Sequence, residues 1–290
     1  MQQSSDSFVP SLERGLTILE ILAKSRAGLS LSQVTRQLAL PKSSVHCLLR
    51  TFEHAGYVYK DTACGKYRVS LSICDLARQA LQGISLRDQA RQFLRRLSER
   101  TGLTVHMAVL EQGSCVLIEK VTPPGVSRTP TWIGKQLALH CTALGKTLLA
   151  YLPEADAEQL ISDQGLIRYN DNTICSIRQL KQELQTIRLR GCALDDEEEE
   201  IGVRCLGAPI FNANHDAIAA LSVVGDASHI SDDNLSSLNR DVVEAANRVS
   251  EQVRNAQLEA GISLPERMGH LNWRRSPVDL LQTSSTDLIA

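Results

Sequence analysis

Several features that define whole classes of protein are absent from this chain of 290 residues. Its 17 glycines and 9 prolines are too few for a fibrous or low-complexity protein. No apolar run reaches the ~18 to 20 residues that a membrane span requires. Residues 1–6 lack the basic and apolar regions of a signal peptide. We therefore expect a soluble, cytoplasmic protein that does not contact a membrane.

Cysteine pairs with metal or redox spacing are also absent. The chain has eight cysteines, and no two of them form a C-x-x-C pair, which excludes a zinc ribbon and a dithiol redox motif. His106, Cys141 and Cys205 have no spacing typical of metal ligands, so His106 is predicted to be a core histidine. We expect reduced thiols, no metal and no cofactor.

Length and charge indicate a two-part organisation. A chain of 290 residues favours two domains, and 43% apolar content is enough to build a sizeable core. The net charge of the whole chain is −2. Residues 8–70 hold nine basic and four acidic residues, a net of +5, whereas residues 71–290 carry −6. A small basic head on a larger acidic body indicates a polyanion-binding module joined to a domain with another task.

The first half of the head is predicted to form two helices. Ser11 is placed to cap a first helix in which apolar residues recur at steps of three and four. Ser30 and Gln33 form a capping-box pattern that opens a second, shorter helix. Leu40 and Pro41 then form the turn into a third helix, so the second and third helices together are predicted to be the helix-turn-helix.

The second half of the head is predicted to form a third helix and a two-stranded wing. The third helix covers residues 41–55, with an apolar face and a polar face. Short strands are predicted over residues 57–59 and 67–69 on either side of a turn. Residues 9–70 therefore form a winged helix-turn-helix.

A winged helix-turn-helix of this charge is suited to duplex DNA. The third helix fits the major groove, where its first amides and Lys42 can hold phosphates and Arg50 can reach base edges. Lys66 and Arg68 lie on or beside the wing, where they can follow the DNA backbone. A protein-interaction module is the alternative. The predicted DNA-contacting residues are Lys42, Ser43, Ser44, His46, Cys47, Arg50, Lys66 and Arg68.

The body of the chain is predicted to be an antiparallel sheet flanked by helices, which makes the fold class α+β. A linker helix is expected over residues 71–85. Two hairpins, over 104–121 and 203–224, enclose a central run of helices. The body domain covers residues 86–257, and the tail 258–290 is expected to be flexible.

Several segments of the chain, in order, resemble the IclR family of bacterial transcriptional regulators. The resemblance runs from about residue 9 to residue 252. It implies a GAF-like sensor domain, a dimer or tetramer, and DNA binding controlled by a small metabolite. The segments that carry it are 12–19 (LERGLTIL), 40–46 (LPKSSVH), 65–69 (GKYRV), 104–109, 139–146, 195–198 and 202–205.

An effector site follows partly from the residues and partly from the resemblance. Thr142, Ala143 and Leu144 begin a helix, whose free amides suit a carboxylate. Taken alone, each candidate also has an ordinary structural reading, such as a helix cap or a core thiol. The resemblance implies that family pockets use this helix start together with Asp195, Cys205, Ser222 and Val224. The apolar Val224 departs from the family pattern of polar residues and indicates a more apolar effector.

These patterns together predict a ligand-responsive transcriptional regulator and not an enzyme. We expect a repressor of a catabolic operon whose DNA binding responds to a small organic acid. Because one winged helix contacts only one half-site, a homodimer or tetramer on an inverted repeat is expected. The alternative enzyme would be a thiol-dependent GAF-like protein that uses His140 and Cys141. Adjacent residues on a strand point to opposite faces, which disfavours that pair.

Overall fold

The computed structural model describes residues 9–82, 85–126 and 130–260, apart from some side chains at the edges of these ranges. The described residues divide into two compact units, 9–82 and 85–260. Most of the predicted flexible tail, 258–290, lies outside the described residues. The predicted domain limits stay predictions.

The first unit holds four helices and a small two-stranded sheet, and the first three helices share one core with that sheet. Ser30 caps α2 as predicted, because its side chain accepts from the Gln33 amide and the Gln33 side chain accepts in return from the Ser30 amide. The predicted Ser11 cap is wrong: the N-cap is Val9, and Pro10, which has no N–H to satisfy, opens α1. The elements are α1 (Pro10–Lys24), α2 (Leu31–Leu38), α3 (Lys42–His54), β1 (Val58–Lys60), β2 (Tyr67–Val69) and α4 (Ser72–Gln82).

The wing is tied to the helices by a backbone bridge. β1 and β2 pair antiparallel, and Leu29 exchanges two backbone hydrogen bonds with Tyr67 of β2, at 2.8 and 3.1 Å. Gly28, with φ +68°, brings the chain to this bridge, and a Cβ there would lie 2.9 Å from the Tyr67 carbonyl oxygen. The close approach therefore requires glycine.

The second unit is a six-stranded antiparallel sheet in the order β5-β4-β3-β8-β7-β6. Both predicted hairpins are present. β5 and β6 were not predicted. The strands are β3 (Thr104–Glu111), β4 (Ser114–Val121), β5 (Gln136–Leu137), β6 (Ala193–Asp196), β7 (Val203–Phe211) and β8 (Ala217–Asp226); the helices are α5 (Ser85–Thr101), α6 (Ala143–Ala150), α7 (Glu154–Gln164), α8 (Ile177–Arg190) and α9 (Asp232–Ala260).

The two faces of this sheet have different neighbours. Val105, Met107 and Val109 of β3 pack into an apolar core with α5 and α9. Ala108, on the opposite face, packs into a second core with α6, α7 and α8. Since side chains alternate along a strand, His106 points to the same face as Ala108. The sheet is thus covered on both faces, and polar side chains on the α6 face are buried.

Candidate functional sites

Helix α3 presents the polar face that the sequence predicts. Val45 and Leu49 are fully buried in the core of the first unit. Six of the eight predicted DNA-contacting residues lie on the rest of the helix surface, where five are exposed and Ser44 is half-buried. The exposed residues are Lys42, Ser43, His46, Cys47 and Arg50.

The start of α3 has open backbone donors. Pro41 is its N-cap and makes no side-chain cap hydrogen bond. The first helical bond runs from the Val45 amide to the Pro41 carbonyl oxygen, at 3.1 Å. The amides of residues 42–44 therefore precede the helical ladder, which together with the Lys42 ammonium suits a phosphate.

On the wing, Lys66 is half-buried and Arg68 takes part in the fold. The Arg68 guanidinium donates to the Arg26 carbonyl oxygen at 2.9 Å, and its Nε lies 3.6 Å from Asp61 Oδ2. The predicted DNA contact of Arg68 therefore competes with a structural role that the sequence did not indicate.

In the second unit, one cavity collects all seven predicted effector residues. The cavity lies between the start of α6, the α6-facing side of strands β6, β7 and β8, and the segment that precedes β5. His106 lines it as well, so this histidine borders the cavity and is not only a core residue. The lining residues are His106, Pro130, Thr131, Lys135, Leu137, Thr142, Ala143, Leu144, Asp195, Glu199, Glu200, Val203, Cys205, Ser222 and Val224.

Strand register explains why the sheet residues meet. Asp195 of β6 pairs with Cys205 of β7, which pairs with Val224 of β8. Ser222 lies two residues before Val224 and pairs with His106 of β3. All of them therefore point to the α6 face.

Helix α6 begins as predicted at an N-cap threonine. Thr142 Oγ1 accepts from the Gly145 amide at 3.0 Å, and the Thr142 carbonyl oxygen accepts from the Lys146 amide at 2.9 Å. The amides of Ala143 and Leu144 thus have no acceptor within the helix. They lie at the cavity and suit a carboxylate.

Three acids, Asp195, Glu199 and Glu200, form what we call the acidic wall of the cavity. Asp195 is 2% exposed, and burial raises its pKa to about 7. Burial also raises the pKa of Glu199, against the opposing effect of Lys135. The Cys205 thiol, its pKa raised by burial and by Asp195, is a hydrogen-bond donor rather than a thiolate.

The opposite wall carries a neutral histidine. Burial and the nearby Lys120 lower the pKa of His106 to about 3, and its Nε2 lies 2.9 Å from Thr131 Oγ1. Thr131, Lys135, Glu199 and Glu200 were not predicted as site residues. The acidic run 196–200 is visible in the sequence, but nothing there distinguishes a cavity wall from a solvated surface.

Known families match both units of the chain. The profile of the IclR helix-turn-helix domain matches residues 11–62, and that of the bacterial transcriptional regulator IclR C-terminal domain matches residues 78–251. The chain belongs to the IclR family of transcriptional regulators. Members of this family bind DNA and small-molecule effectors.

Individual relatives in the IclR family cover nearly the same span. The transcriptional repressor IclR of Escherichia coli K12 is 35% identical over 244 residues, 83% of this chain and 89% of that protein. The acetate operon repressor of Salmonella typhimurium LT2 is 34% identical, with the same coverage. The crystal structure of the Thermotoga maritima IclR has a TM-score of 0.69 and 28% identity, covering 84% of this chain and 98% of that one.

Membership of the IclR family makes this chain a regulator and not an enzyme. The side chains considered for thiol chemistry fit that conclusion. His140 Nε2 lies 2.9 Å from the Ile167 carbonyl oxygen, and burial raises the pKa of the Cys141 thiol. Among the described residues, no group of His, Cys, Asp and Glu is arranged to hold a metal ion. None of the helices in the described ranges is long and apolar enough to cross a membrane.

Proposed function

We propose that this IclR-family regulator represses a catabolic operon in the cytoplasm, where bacterial DNA lies, and that a small organic acid releases it from its operator. The observation that carries the proposal is the cavity of the second unit, in which helix amides, an acidic wall and an apolar Val224 meet. Repression is favoured by the relatives from Escherichia coli and Salmonella, which are both named repressors.

The DNA contacts proposed for α3 divide by chemistry. Lys42 and the amides of residues 42–44 hold a phosphate, while Arg50 and His46, one turn apart and both exposed, reach base edges. Ser43, Ser44 and Cys47 complete the helix surface. On the wing, Lys66 approaches the DNA backbone, and Arg68 both shapes the wing and contributes positive charge.

The effector proposed for the cavity is an acid with a hydrogen-bond donor and an apolar part. Its carboxylate binds the amides of Ala143 and Leu144. Its donor faces Asp195, while Cys205 and Ser222 complete the wall. Val224, 6% exposed, contacts the apolar part of the effector.

Assembly as a homodimer or tetramer on an inverted repeat is proposed from exposed apolar surface in the first unit. Leu12 and Leu16 on α1 are 61% and 48% exposed, and Leu76 on α4 is 55% exposed. Phe93 and Leu97 on α5 pack into the core of the second unit and are not available for such contacts. The proposed interface therefore lies on the first unit.

The test combines DNA retardation with a ligand screen. The protein is expected to retard duplex DNA from its own promoter region, and one of a panel of small organic and aromatic acids is expected to release it. A ligand at 100 times its dissociation constant raises the free energy of unfolding by ~2.7 kcal/mol, which a thermal shift detects.

Two cavity variants and one control locate the response. Asp195→Ala and Ser222→Ala are expected to bind DNA as the wild type does but to lose release, because an effector acts only through its differential affinity. Ser228→Ala, at an exposed serine of the same unit, should respond normally. If both cavity variants bind the effector as the wild type does in calorimetry, the effector binds elsewhere.

A further inference from the structure

Lys146 is a charged residue with no exposed surface, on the second turn of α6. Its ammonium donates to the Leu194 carbonyl oxygen and to Glu198 Oε1, and it lies 3.5 Å from Glu183 Oε1. Burying a charge is unfavourable unless it is paired and hydrogen-bonded. These acceptors from β6, the loop after it and α8 therefore hold the lysine in place.

Glu198, the main partner of Lys146, fixes the loop that joins β6 to β7. Its amide donates to Asp195 Oδ1 at 2.9 Å. Its carbonyl oxygen accepts from Thr173 Oγ1 at 2.7 Å and from Asn170 Nδ2 at 3.2 Å. The backbone and the carboxylate of this one residue thus tie the loop to three other parts of the second unit.

The neighbours of Glu198 on both sides form the acidic wall. Asp195 precedes it, and Glu199 and Glu200 follow it and line the cavity. Close carboxylates repel one another, so a loop carrying them needs a cation to hold it. Lys146 supplies that cation from behind the wall, since it does not itself line the cavity.

We propose that Lys146 is a positioning residue of the cavity, which ties the acidic wall through Glu198 to the helix whose first amides form the anion-binding end. α6 and the loop then keep a fixed spacing, and a ligand that spans them meets both ends without rearrangement. The proposal rests on the proposed function only in taking this cavity as the effector site.

The test uses Cys205, which lines the cavity and pairs with Asp195 across the strands. The full-length protein is treated with iodoacetamide, and alkylation of each cysteine is followed by peptide mass spectrometry. Cys205 is half-buried in the folded protein. In Lys146→Met, release of the acidic wall is expected to hydrate its thiol further and to raise its alkylation rate about tenfold or more.

Internal controls separate positioning from a general loss of stability. Cys115 and Cys192 are buried in the two cores of the second unit and are expected to stay protected. Lys181→Met removes a partly exposed lysine that pairs with Glu158 on the surface, and it should leave Cys205 unchanged. A parallel rise at Cys115 and Cys192 would mean that Lys146 serves overall packing only, which overturns the proposal.

A second variant keeps the test decisive if Lys146→Met does not fold. Glu198→Gln preserves the size of the side chain and leaves Lys146 its hydrogen bond to the Leu194 carbonyl oxygen. The alkylation rate of Cys205 is therefore expected to rise selectively, but less than in Lys146→Met. An unchanged Cys205 rate in the folded variant, or an equal rise in Lys181→Met, also overturns the proposal. Because the assay contains neither DNA nor effector, its failure would leave the proposed function standing.

Discussion

Replacement of the buried Asp195 by asparagine is expected to stabilise the second unit at neutral and alkaline pH. Asp195 Oδ1 accepts from the Glu198 amide, and an asparagine oxygen can accept the same bond. The variant therefore removes the charge while it keeps the shape and the hydrogen bond. The charged groups around Asp195 are Glu198, Glu199 and Lys146, and the acids outnumber the lysine.

The size of the stability loss follows from the pKa of Asp195, which burial raises from its ordinary value of 3.8 to about 7 in the folded protein. Between these values the folded protein binds more protons than the unfolded chain, so stability falls as pH rises. Below pH 3.8 both states are protonated, and above pH 7 both are ionised and the full loss is present. At 1.36 kcal/mol per pKa unit, the loss is at most about 4 kcal/mol.

Urea unfolding at pH 5 and pH 8, followed by far-ultraviolet circular dichroism, tests this reasoning. The free energy of unfolding of Asp195→Asn, relative to that of the wild type, is expected to increase by about 2 kcal/mol or more from pH 5 to pH 8. The control Asp171→Asn changes an exposed surface aspartate, and its free energy of unfolding should differ from that of the wild type by the same small amount at both pH values. If the advantage of Asp195→Asn does not grow with pH, the buried carboxyl is already ionised at pH 5 and the reasoning is wrong.

Three further predictions concern DNA contact, assembly and helix packing. In anisotropy titrations, Arg50→Ala should lose ~1 to 3 kcal/mol of operator-binding free energy and discriminate less between DNA sequences. Lys42→Ala should instead weaken binding to all sequences and flatten the salt dependence of binding. If both variants bind DNA as the wild type does, α3 is not the DNA-contacting helix. Sedimentation at micromolar concentration should show a dimer or larger assembly, and a monomer that binds its operator tightly would contradict the proposed interface. Gly145→Ala, whose Cβ would lie 2.3 Å from the Ala138 carbonyl oxygen, should destabilise the protein by about 1–3 kcal/mol or more, and an unchanged melting temperature would refute the close packing of α6.

The elements that the sequence predicts well are those defined by local interactions. The Ser30 capping box needs only residues three apart. The first hairpin turns at Gln112 and Gly113, both with positive φ, which a two-residue turn of this kind requires. Strands β5 and β6, of two and four residues, are too short for an alternating pattern. They form because they pair with the longer strands β4 and β7.

The candidate site was predictable only in part, because contacts between residues distant in the sequence bring its side chains together. Asp195, Cys205 and Ser222 were proposed through the family resemblance, and register with β7 and β8 brings them to one face. Lys135 and Thr131 reach the cavity from a segment without periodicity. Lys146 stands in the apolar sequence ALGKTLLA, yet its partner Glu198 lies 52 residues further along. No local pattern indicates such a pair.

The charge distribution around Asp195 links effector binding to the proposed switch. Without a ligand, this carboxyl is held among other acids and is destabilised at neutral pH. A ligand group that donates a hydrogen bond to Asp195 favours its ionised form and so recovers part of that loss. In this structure Lys146 already holds the acidic wall at a fixed spacing from the α6 amides, so a ligand recovers that free energy in this conformation without rearrangement. Since an effector shifts populations by its differential affinity alone, the unfavourable placement of Asp195 gives the proposed effector a reason to prefer that conformation.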